Sequence, residues 1–412
     1  MIDTYKKEVY ENAINQLSTP LYLYDVAVVE REVRRFREQL PQNVGLCFAM
    51  KANPFLTEQY AGLTDRIEVC SFGEFLICEK LEIPKEKLLI SGVVKEEGDL
   101  PQVLSYCKDA SVYTVESLRQ FQFFDQWSQK EGVDLHLFLR LTNGSQFGVN
   151  PQEIFEMLAR IEENPRLHLE GIHYFTGTQK KKVSVLKKEL QMLDGFFEEI
   201  RKRTGVEIPE LEYGPGIGFA YFKDQEVPLY TEAGIRELGE AIGSMKWKGK
   251  VTLEMGRALS AACGVYITRI SDKKINEGNR YLMVDGGSHQ LNYHGQIRGM
   301  YFPYIEVLVN DRAQEALRHQ EINAKGDPPE EPWTICGSLC TTNDVLVQEY
   351  PMEEPRVGDY LVFENTGAYS AMEGMALFLS HELPAVAVID TEKKNDLQVL
   401  RERKSTYFLN SR

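Results

Sequence analysis

The sequence has no excess of positive charge and lacks the features that direct a chain into or across a membrane. Of its 412 residues, 62 are Asp or Glu and 47 are Lys or Arg, which gives a net charge of −15. Binding along a nucleic-acid backbone requires a basic face or stripe, which such a balance disfavours. No apolar run approaches membrane-spanning length, and residues 1–10 lack the apolar core of a secretory signal. We therefore expect neither a nucleic-acid nor a membrane partner.

Cysteine is also scarce. The chain has 7 cysteines, an odd number, and no C-x-x-C pair. This count argues against a disulfide framework, and unpaired thiols are usual in a reducing compartment. The sequence thus predicts a cytoplasmic protein, and we expect no metal site in it.

What the chain does contain is a regular alternation of short apolar runs and longer stretches of helical period. With 43% hydrophobic residues, it is long enough to bury the cores of two domains. Eight successive strand-then-helix units favour a (β/α)₈ barrel of the TIM type over an open doubly wound sheet. The predicted strands are Val44–Met50, Arg66–Ser71, Leu88–Gly92, Ser111–Val115, Leu135–Leu141, Leu167–Phe175, Glu210–Gly214 and Val251–Met255. The clearest predicted helices are Phe72–Leu81, Glu116–Lys130, Pro151–Glu163 and Lys182–Lys202.

From Gly264 onward strand-like runs dominate. They are Val265–Ile270, Tyr281–Val284, Trp333–Cys336, Asp344–Gln348, Tyr360–Phe363 and Ala385–Ile389. The polar stretch Asn310–Glu331 is typical of an exposed excursion between strands. An amphipathic stretch, Thr4–Leu17, and a short strand, Leu21–Asp25, precede the barrel. The sequence therefore predicts a barrel of residues 26–262 and a C-terminal β-sandwich or β-barrel domain formed by residues 1–25 and 263–412.

Several polar residues fall where barrel enzymes keep their functional groups, at the C-terminal ends of the strands. Lys51 ends the first predicted strand and Glu254 ends the eighth. An ammonium beside an apolar strand is paired or has a lowered pKa, which is the condition for a lysine that forms a Schiff base. Taken alone, however, a lysine at a strand end that simply reaches solvent is the more frequent case.

The seventh and eighth strand ends carry glycines and an arginine that suit an anion. Backbone N–H groups at Gly214 and Gly216 can approach a phosphate, although such turns are common and Pro215 has no N–H to offer. Arg257 can bind a phosphate and Glu254 can keep a pyridine nitrogen protonated, or the two can form an ordinary ion pair.

Taken together, these residues resemble the fold-type III pyridoxal-phosphate decarboxylases, the family of diaminopimelate, ornithine and lysine decarboxylases. The likeness runs from about Thr19 to Pro384. It is carried, in order, by Phe48–Pro54, Ser71–Glu74, Val115–Ser117, Gln146–Gly148, Gly171–Gln179, Glu254–Arg257, Val284–Gly287, Gly337–Cys340, Gly358–Asp359 and Gly367–Tyr369. The resemblance implies a carboxy-lyase with an alanine-racemase-like barrel, working as a homodimer with shared active sites.

The resemblance also implies the roles of individual residues. Lys51 would hold pyridoxal 5′-phosphate covalently, and Cys340 of the other subunit would return a proton to the reacting carbon. Glu254 would pair with the pyridinium nitrogen, and Phe175 would stack on the ring where the family commonly has histidine. Phosphate contacts are implied at Gly214, Gly216, Arg257 and Tyr369.

One departure from the family pattern bears on the substrate. Ornithine and diaminopimelate decarboxylases usually place an acidic residue after the cysteine, to meet the distal amine of the substrate, and this chain has Thr341 there. This favours the branch that acts on modified or carrier-protein-bound amino acids in antibiotic and siderophore biosynthesis. Arg298 and Asp344 are further candidate substrate contacts. Plain diaminopimelate, ornithine or lysine decarboxylation remains the alternative, and an amino-acid racemase or a non-catalytic regulatory homologue would be other classes.

Overall fold

The computed structural model describes residues 4–310, 330–393 and 396–412. Most of the predicted excursion Asn310–Glu331 lies outside these described residues. The chain divides into two compact units. Glu30–Phe219 and Glu226–Leu259 form one, which we call the barrel unit. Met1–Val29, Ala220–Gln225 and Ser260–Arg412 form the other, which we call the sheet unit.

The barrel unit is built on eight parallel strands that close on themselves. Each strand pairs with the next along the chain, and the last pairs with the first. The predicted (β/α)₈ barrel is therefore confirmed. Its strands are β2 (Val44–Ala49), β3 (Arg66–Val69), β4 (Leu88–Ile90), β5 (Val112–Val115), β6 (Leu135–Arg140), β7 (Leu167–Phe175), β8 (Glu210–Gly214) and β9 (Lys250–Met255).

Helices follow these strands. Local capping marks the start of some of them: Ser71 accepts a hydrogen bond from the Glu74 amide at the start of α4, and Asn150 with Glu153 forms a capping box at α7. The helices that begin in this unit are α3 (Thr57–Leu63), α4 (Phe72–Lys80), α5 (Leu100–Cys107), α6 (Leu118–Glu131), α7 (Pro151–Glu163), α8 (Val183–Thr204), α9 (Glu232–Gly243) and α10 (Arg257–Ser260). α2 (Val26–Gln39) runs from the sheet unit into the barrel unit.

The interior of the barrel carries charge as well as apolar side chains. The Arg66 guanidinium donates hydrogen bonds to Glu210 at 2.6 Å and to Glu212 at 2.9 Å. Thr252 Oγ1 donates to the same Glu210 carboxylate at 2.5 Å. Arg66 starts β3, so this network lies toward the N-terminal ends of the strands, where barrels place residues that stabilise the fold.

The sheet unit contains a nine-stranded sheet. The main path runs β14, β13, β11, β10, β1, β16, β17, and β15 pairs with β10 and β12. Helix α1 (Thr4–Leu17) packs Val9, Tyr10 and Ala13 into a core with β1, β10 and β16. The strands are β1 (Leu21–Asp25), β10 (Gly264–Asn276), β11 (Asn279–Val284), β12 (Ile305–Leu308), β13 (Glu331–Cys336), β14 (Val345–Met352), β15 (Tyr360–Glu364), β16 (Ala385–Ile389) and β17 (Gln398–Arg401).

The sequence analysis did not predict two of these strands, β12 and β17. Both are four residues long, and each has only one or no fully buried residue, so neither gives a strong apolar pattern. Within the described part of the chain, no helix combines the length and the apolar character needed to cross a membrane.

The close approach of β7 and β8 gives a test of the barrel. A Cβ on Gly171 would lie 1.8 Å from the backbone oxygen of Glu210, which has no room to move within the paired strands. We expect Gly171→Ala to lower the free energy of unfolding by about 3 kcal/mol, measured by urea denaturation. Gly195→Ala is the matched control, because Gly195 is at an exposed position of α8 and a Cβ there meets nothing within 4 Å. It should raise stability by about 0.5–1 kcal/mol, and equal effects of the two variants would contradict the packing argument.

Candidate active site

Lys51 lies at the C-terminal mouth of the barrel, in a single helical turn directly after β2. Its Nζ donates a hydrogen bond to Glu68 Oε2 at 2.6 Å and lies 3.6 Å from Glu254 Oε1. The lysine side chain is 41% exposed, whereas the Glu68 and Glu254 side chains are 2% and 7% exposed. Lys51 is therefore paired with buried carboxylates, and its side chain is open to the mouth of the barrel. A lysine at a strand end that merely reaches solvent would have no such buried partners.

Glu254 is held as a carboxylate by its surroundings. Its Oε2 lies 2.8 Å from His173 Nε2, and His173 is fully buried. Burial raises the pKa of Glu254, but Lys51 and His173 outweigh it and hold that pKa well below its ordinary value. Glu254 is thus ionised at neutral pH.

Backbone amides form a concave surface at the ends of β7 and β8, which we call the cradle (residues 176–180 and 214–219). Gly216 has a φ of +61°, and a Cβ on it would lie 1.8 Å from the Gly177 carbonyl oxygen. The amides of Gly177, Thr178, Gly216 and Ile217 donate no hydrogen bond to any described residue. Successive free N–H groups in a turn bind anions, so the cradle fits a phosphate even though Pro215 contributes no donor.

Two further side chains border the cradle. Arg257 begins α10, is buried, and its Nε lies 3.3 Å from Thr178 Oγ1. Phe175 ends β7, and its ring packs so closely on Gly214 that a Cβ there would lie 2.6 Å from Phe175 Cδ2. A buried guanidinium beside free amides adds the charge that an anion requires.

These groups match pyridoxal phosphate part by part. An amine at the mouth suits its aldehyde, an ionised carboxylate suits its ring nitrogen, and the cradle with Arg257 suits its phosphate. All lie within the barrel unit.

The other predicted residues lie in the sheet unit. Cys340 is exposed on the loop between β13 and β14, next to Thr341. Asp344 is buried at the end of this loop, where its carboxylate accepts hydrogen bonds from the amides of Ser288 and Leu339, both at 2.7 Å. These bonds favour a role for Asp344 in holding the loop, and its substrate contact stays a prediction.

Arg298 and Tyr369 both have left-handed backbones, with φ of +48° and +64°. Non-glycine residues in this region are uncommon and cluster at functional sites. Arg298 and Thr341 line one cavity of about 650 Å³ in the sheet unit, together with Arg280, Cys336, Asp344 and Glu349.

Sequence reasoning missed several residues of the mouth. Glu68 binds Lys51, and Cys70 Sγ lies 3.6 Å from the same Nζ. Glu116 accepts a hydrogen bond from Arg140 at 2.8 Å, and both are buried. Glu68 could have been found, because an acid inside an apolar strand must meet a countercharge. Arg140 gives the same signal, because it lies in the apolar strand β6, whereas Cys70 gives none.

Comparison with known proteins agrees with this site. Residues 21–367 match the family described as "Pyridoxal-dependent decarboxylase, C-terminal sheet domain". Diaminopimelate decarboxylase of Aquifex aeolicus (strain VF5) is 24% identical over 95% of this chain and 90% of its own length. L-glutamyl-[BtrI acyl-carrier protein] decarboxylase of Niallia circulans is also 24% identical, over 95% of this chain and 92% of its own. The crystal structure of Helicobacter pylori diaminopimelate decarboxylase with L-lysine is similar in fold, with a TM-score of 0.79 at 20% identity, covering 96% of both chains.

The family match spans most of the chain, and the relatives it resembles are named as decarboxylases. The predicted enzyme class and cofactor are therefore confirmed, and the racemase and regulatory alternatives are set aside. With a barrel whose mouth fits pyridoxal phosphate and a sheet unit after it, this chain belongs to the pyridoxal-dependent decarboxylase family.

Proposed function

We propose that this decarboxylase removes the α-carboxylate of an amino acid without a free distal amine, either a modified amino acid or one bound to a carrier protein. The observation that carries the proposal is Thr341, which follows the candidate acid Cys340 and is neutral. A distal ammonium needs a carboxylate at this point to repay its desolvation. Asp344, the next acid along the loop, already accepts two backbone hydrogen bonds.

The cavity beside Thr341 supports a larger or acidic substrate. About 650 Å³ is within the range of sites that enclose small organic ligands. The Arg298 guanidinium is exposed and forms no ion pair with the residues that the structure describes, whereas Arg280 lies 3.3 Å from Glu331. An exposed, unpaired arginine suits a carboxylate on the substrate.

The substrates for which the relatives are named agree with the proposal but do not distinguish it from its alternative. The Niallia circulans protein is named for a carrier-protein-bound glutamyl substrate, and the Aquifex protein, equally identical to this chain, for diaminopimelate. Free diaminopimelate, ornithine or lysine therefore remains the second candidate, and Thr341 favours the first.

Within the barrel, each side chain has a distinct task in this proposal. Pyridoxal phosphate supplies an electron sink for the pair of electrons left when carbon dioxide departs. Lys51 would bind it and Glu68 would orient the amine. Glu254, kept ionised by His173, would hold a proton on the ring nitrogen. Phe175 would exclude water from the ring, while Gly214, Gly216 and Arg257 would bind the phosphate.

We also propose that the active enzyme is a homodimer in which Cys340 of one subunit returns the proton to Cα, and Tyr369 adds a phosphate contact. Support comes from exposed apolar residues, unusual on a monomer, in two short segments of the sheet unit. Asn410 of one segment donates hydrogen bonds to Leu377 and Ser380 of the other. The exposed apolar residues are Met375, Leu377, Phe378, Leu379, Tyr407, Phe408 and Leu409.

A cytoplasmic location completes the proposal. All seven cysteines lie among the described residues and all are free thiols, as a reducing compartment would keep them.

The substrate proposal is tested by carbon dioxide release from a panel of free, modified and carrier-bound amino acids. We expect the wild type to act fastest on a modified or carrier-bound member. Thr341→Asp should raise kcat/KM for free ornithine, lysine or meso-diaminopimelate about tenfold, because it restores a charge for the distal amine. Thr342→Asp, one position further along the loop, is the matched control and should not. Wild-type turnover of a free diamino acid as fast as any panel member would refute the reading of Thr341.

Shared active sites are tested by mixing two inactive variants, Lys51→Ala and Cys340→Ala. If each site takes its lysine and cysteine from different subunits, half of the randomly assorted dimers have one intact site, and activity recovers to about a quarter of the wild-type value. Mixing Lys51→Ala with Glu254→Gln is the control, since both residues belong to one barrel and no intact site forms. If light scattering shows dimers and the first mixture recovers no activity, Cys340 does not belong to a shared site.

The charge on Glu254 is tested through the pH profile of Glu254→Gln at saturating cofactor. We expect turnover about 100-fold lower, because an amide does not keep the ring nitrogen protonated. Since His173 still contacts Glu254 when Lys51 carries the cofactor, and lowers the pKa of that carboxyl, the ratio of wild-type to variant turnover should stay constant between about pH 6 and pH 9.

The control for this pH experiment is Glu198→Gln, which removes an exposed carboxylate from α8. A ratio that shrinks toward pH 6 would mean that Glu254 gains a proton near neutral pH, contrary to this assignment.

A further inference from the structure

The side chain of Gln179 joins the two loops of the cradle. Its Oε1 accepts a hydrogen bond from the Phe219 amide at 2.6 Å, and its Nε2 donates to the Phe219 carbonyl oxygen at 3.3 Å. The residue has a φ of +57°, an uncommon conformation for glutamine. One amide side chain thus pairs with both backbone groups of a residue in the facing loop.

This contact extends a short backbone pairing between the same loops. The Lys180 amide donates to the Gly216 oxygen at 3.0 Å, and the Gly218 amide donates to the Lys180 oxygen at 2.9 Å. Both loops are outside regular strands, so these few bonds determine how Gly216 lies against Gly177. The Gln179 pair doubles the number of hydrogen bonds that hold this register.

The carboxylate of Glu189, on α8, accepts a second set of hydrogen bonds, which connects the loop after β7 with the end of β8. Its carboxylate accepts hydrogen bonds from Thr176 Oγ1 at 2.5 Å and from Lys180 Nζ at 2.9 Å, both in the loop after β7. It also accepts from the hydroxyl of Tyr213 at 2.6 Å, and Tyr213 is fully buried directly before Gly214. The Glu189 side chain is only 13% exposed. Charge-assisted bonds in such a setting are short and strong.

The relative position of the two loops matters because Pro215 has no N–H, so the cradle offers one hydrogen-bond donor fewer to a phosphate. A hydrogen bond weakens steeply once its distance or angle leaves a narrow range, so the remaining amides must be held in place. Neither Gln179 nor Glu189 takes part in the chemistry assigned above. The Gln179 bonds run between the two loops, and the Glu189 bonds run from α8 to the loop after β7 and to Tyr213 of β8.

We propose that Gln179 and Glu189 are positioning residues that hold the two cradle loops in register for the phosphate of the cofactor. The inference rests on the cofactor site and is independent of the substrate and dimer proposals. Loss of either residue should therefore weaken the binding of the phosphate selectively, leaving ring chemistry at saturating cofactor intact.

The test compares pyridoxal phosphate with pyridoxal, which lacks the phosphate, by absorbance titration of the apoenzyme. For Gln179→Ala we expect the dissociation constant of pyridoxal phosphate to rise about tenfold and that of pyridoxal to change by less than about twofold. Inorganic phosphate should compete with pyridoxal phosphate about tenfold less well in the variant. Turnover at saturating cofactor should stay within about twofold of the wild type.

Gln16→Ala is the matched control, because it makes the same truncation at an exposed position of α1, where Asn12 is the one hydrogen-bond partner of Gln16 among the described residues. If Gln179→Ala fails to fold by circular dichroism, Glu189→Gln carries the test, since it preserves shape and should give the same phosphate-selective loss. Equal weakening of both ligands would mean a general structural role and would overturn the proposal. Unchanged affinity for pyridoxal phosphate would overturn it as well.

Discussion

The interaction on which this molecule depends is the pairing of one lysine with two buried carboxylates at the mouth of a barrel. Glu68 and Glu254 are nearly inaccessible to water, and an unpaired carboxylate in such a place would lose its charge. Lys51 pairs with both carboxylates, and they in turn hold its amine at the mouth. Because Glu254 also contacts His173, it has a second source of stabilisation while the amine of Lys51 is bonded elsewhere.

The arrangement is costly, and the barrel balances it with a second network deeper inside. Glu210 and Glu212 share Arg66, which relieves part of the repulsion among the carboxylates that point inward. Burial nevertheless raises the pKa of Glu212 to about 8, against the opposing influence of Arg66, with Glu254 and Glu210 adding to the rise. A carboxyl that holds its proton at neutral pH lowers the negative charge beneath Glu254. The fold thus separates an ionised mouth from a partly neutralised interior.

Periodicity predicted this barrel well because the signal is repeated eight times and each copy is buried. Pro151–Glu163 was predicted to the residue, since a proline at the first position and a capping box mark its start. The sheet unit was harder. Strand β10 continues past the predicted end at Ile270 to Asn276 because it pairs with β11 through polar residues, and pairing leaves no trace in a hydrophobic pattern. No individual role was predicted for Gln179, which ends the segment Gly171–Gln179, or for Glu189, for a related reason: their contacts are with the facing loop or with an adjacent helix and strand.

In our proposal, the residues for the reaction and those for the substrate lie in different units. The groups proposed to govern bond breaking, Lys51, Glu254 and the cradle, lie in the barrel unit, where burial and close packing leave few alternatives to each side chain. Thr341 and Arg298 lie on loops of the sheet unit, where a neutral residue replaces an acidic one without disturbing a core. Two relatives named for different substrates are equally identical to this chain, at 24% each. We therefore propose that a few exposed side chains decide substrate choice within such a fold, because overall similarity does not separate these two relatives.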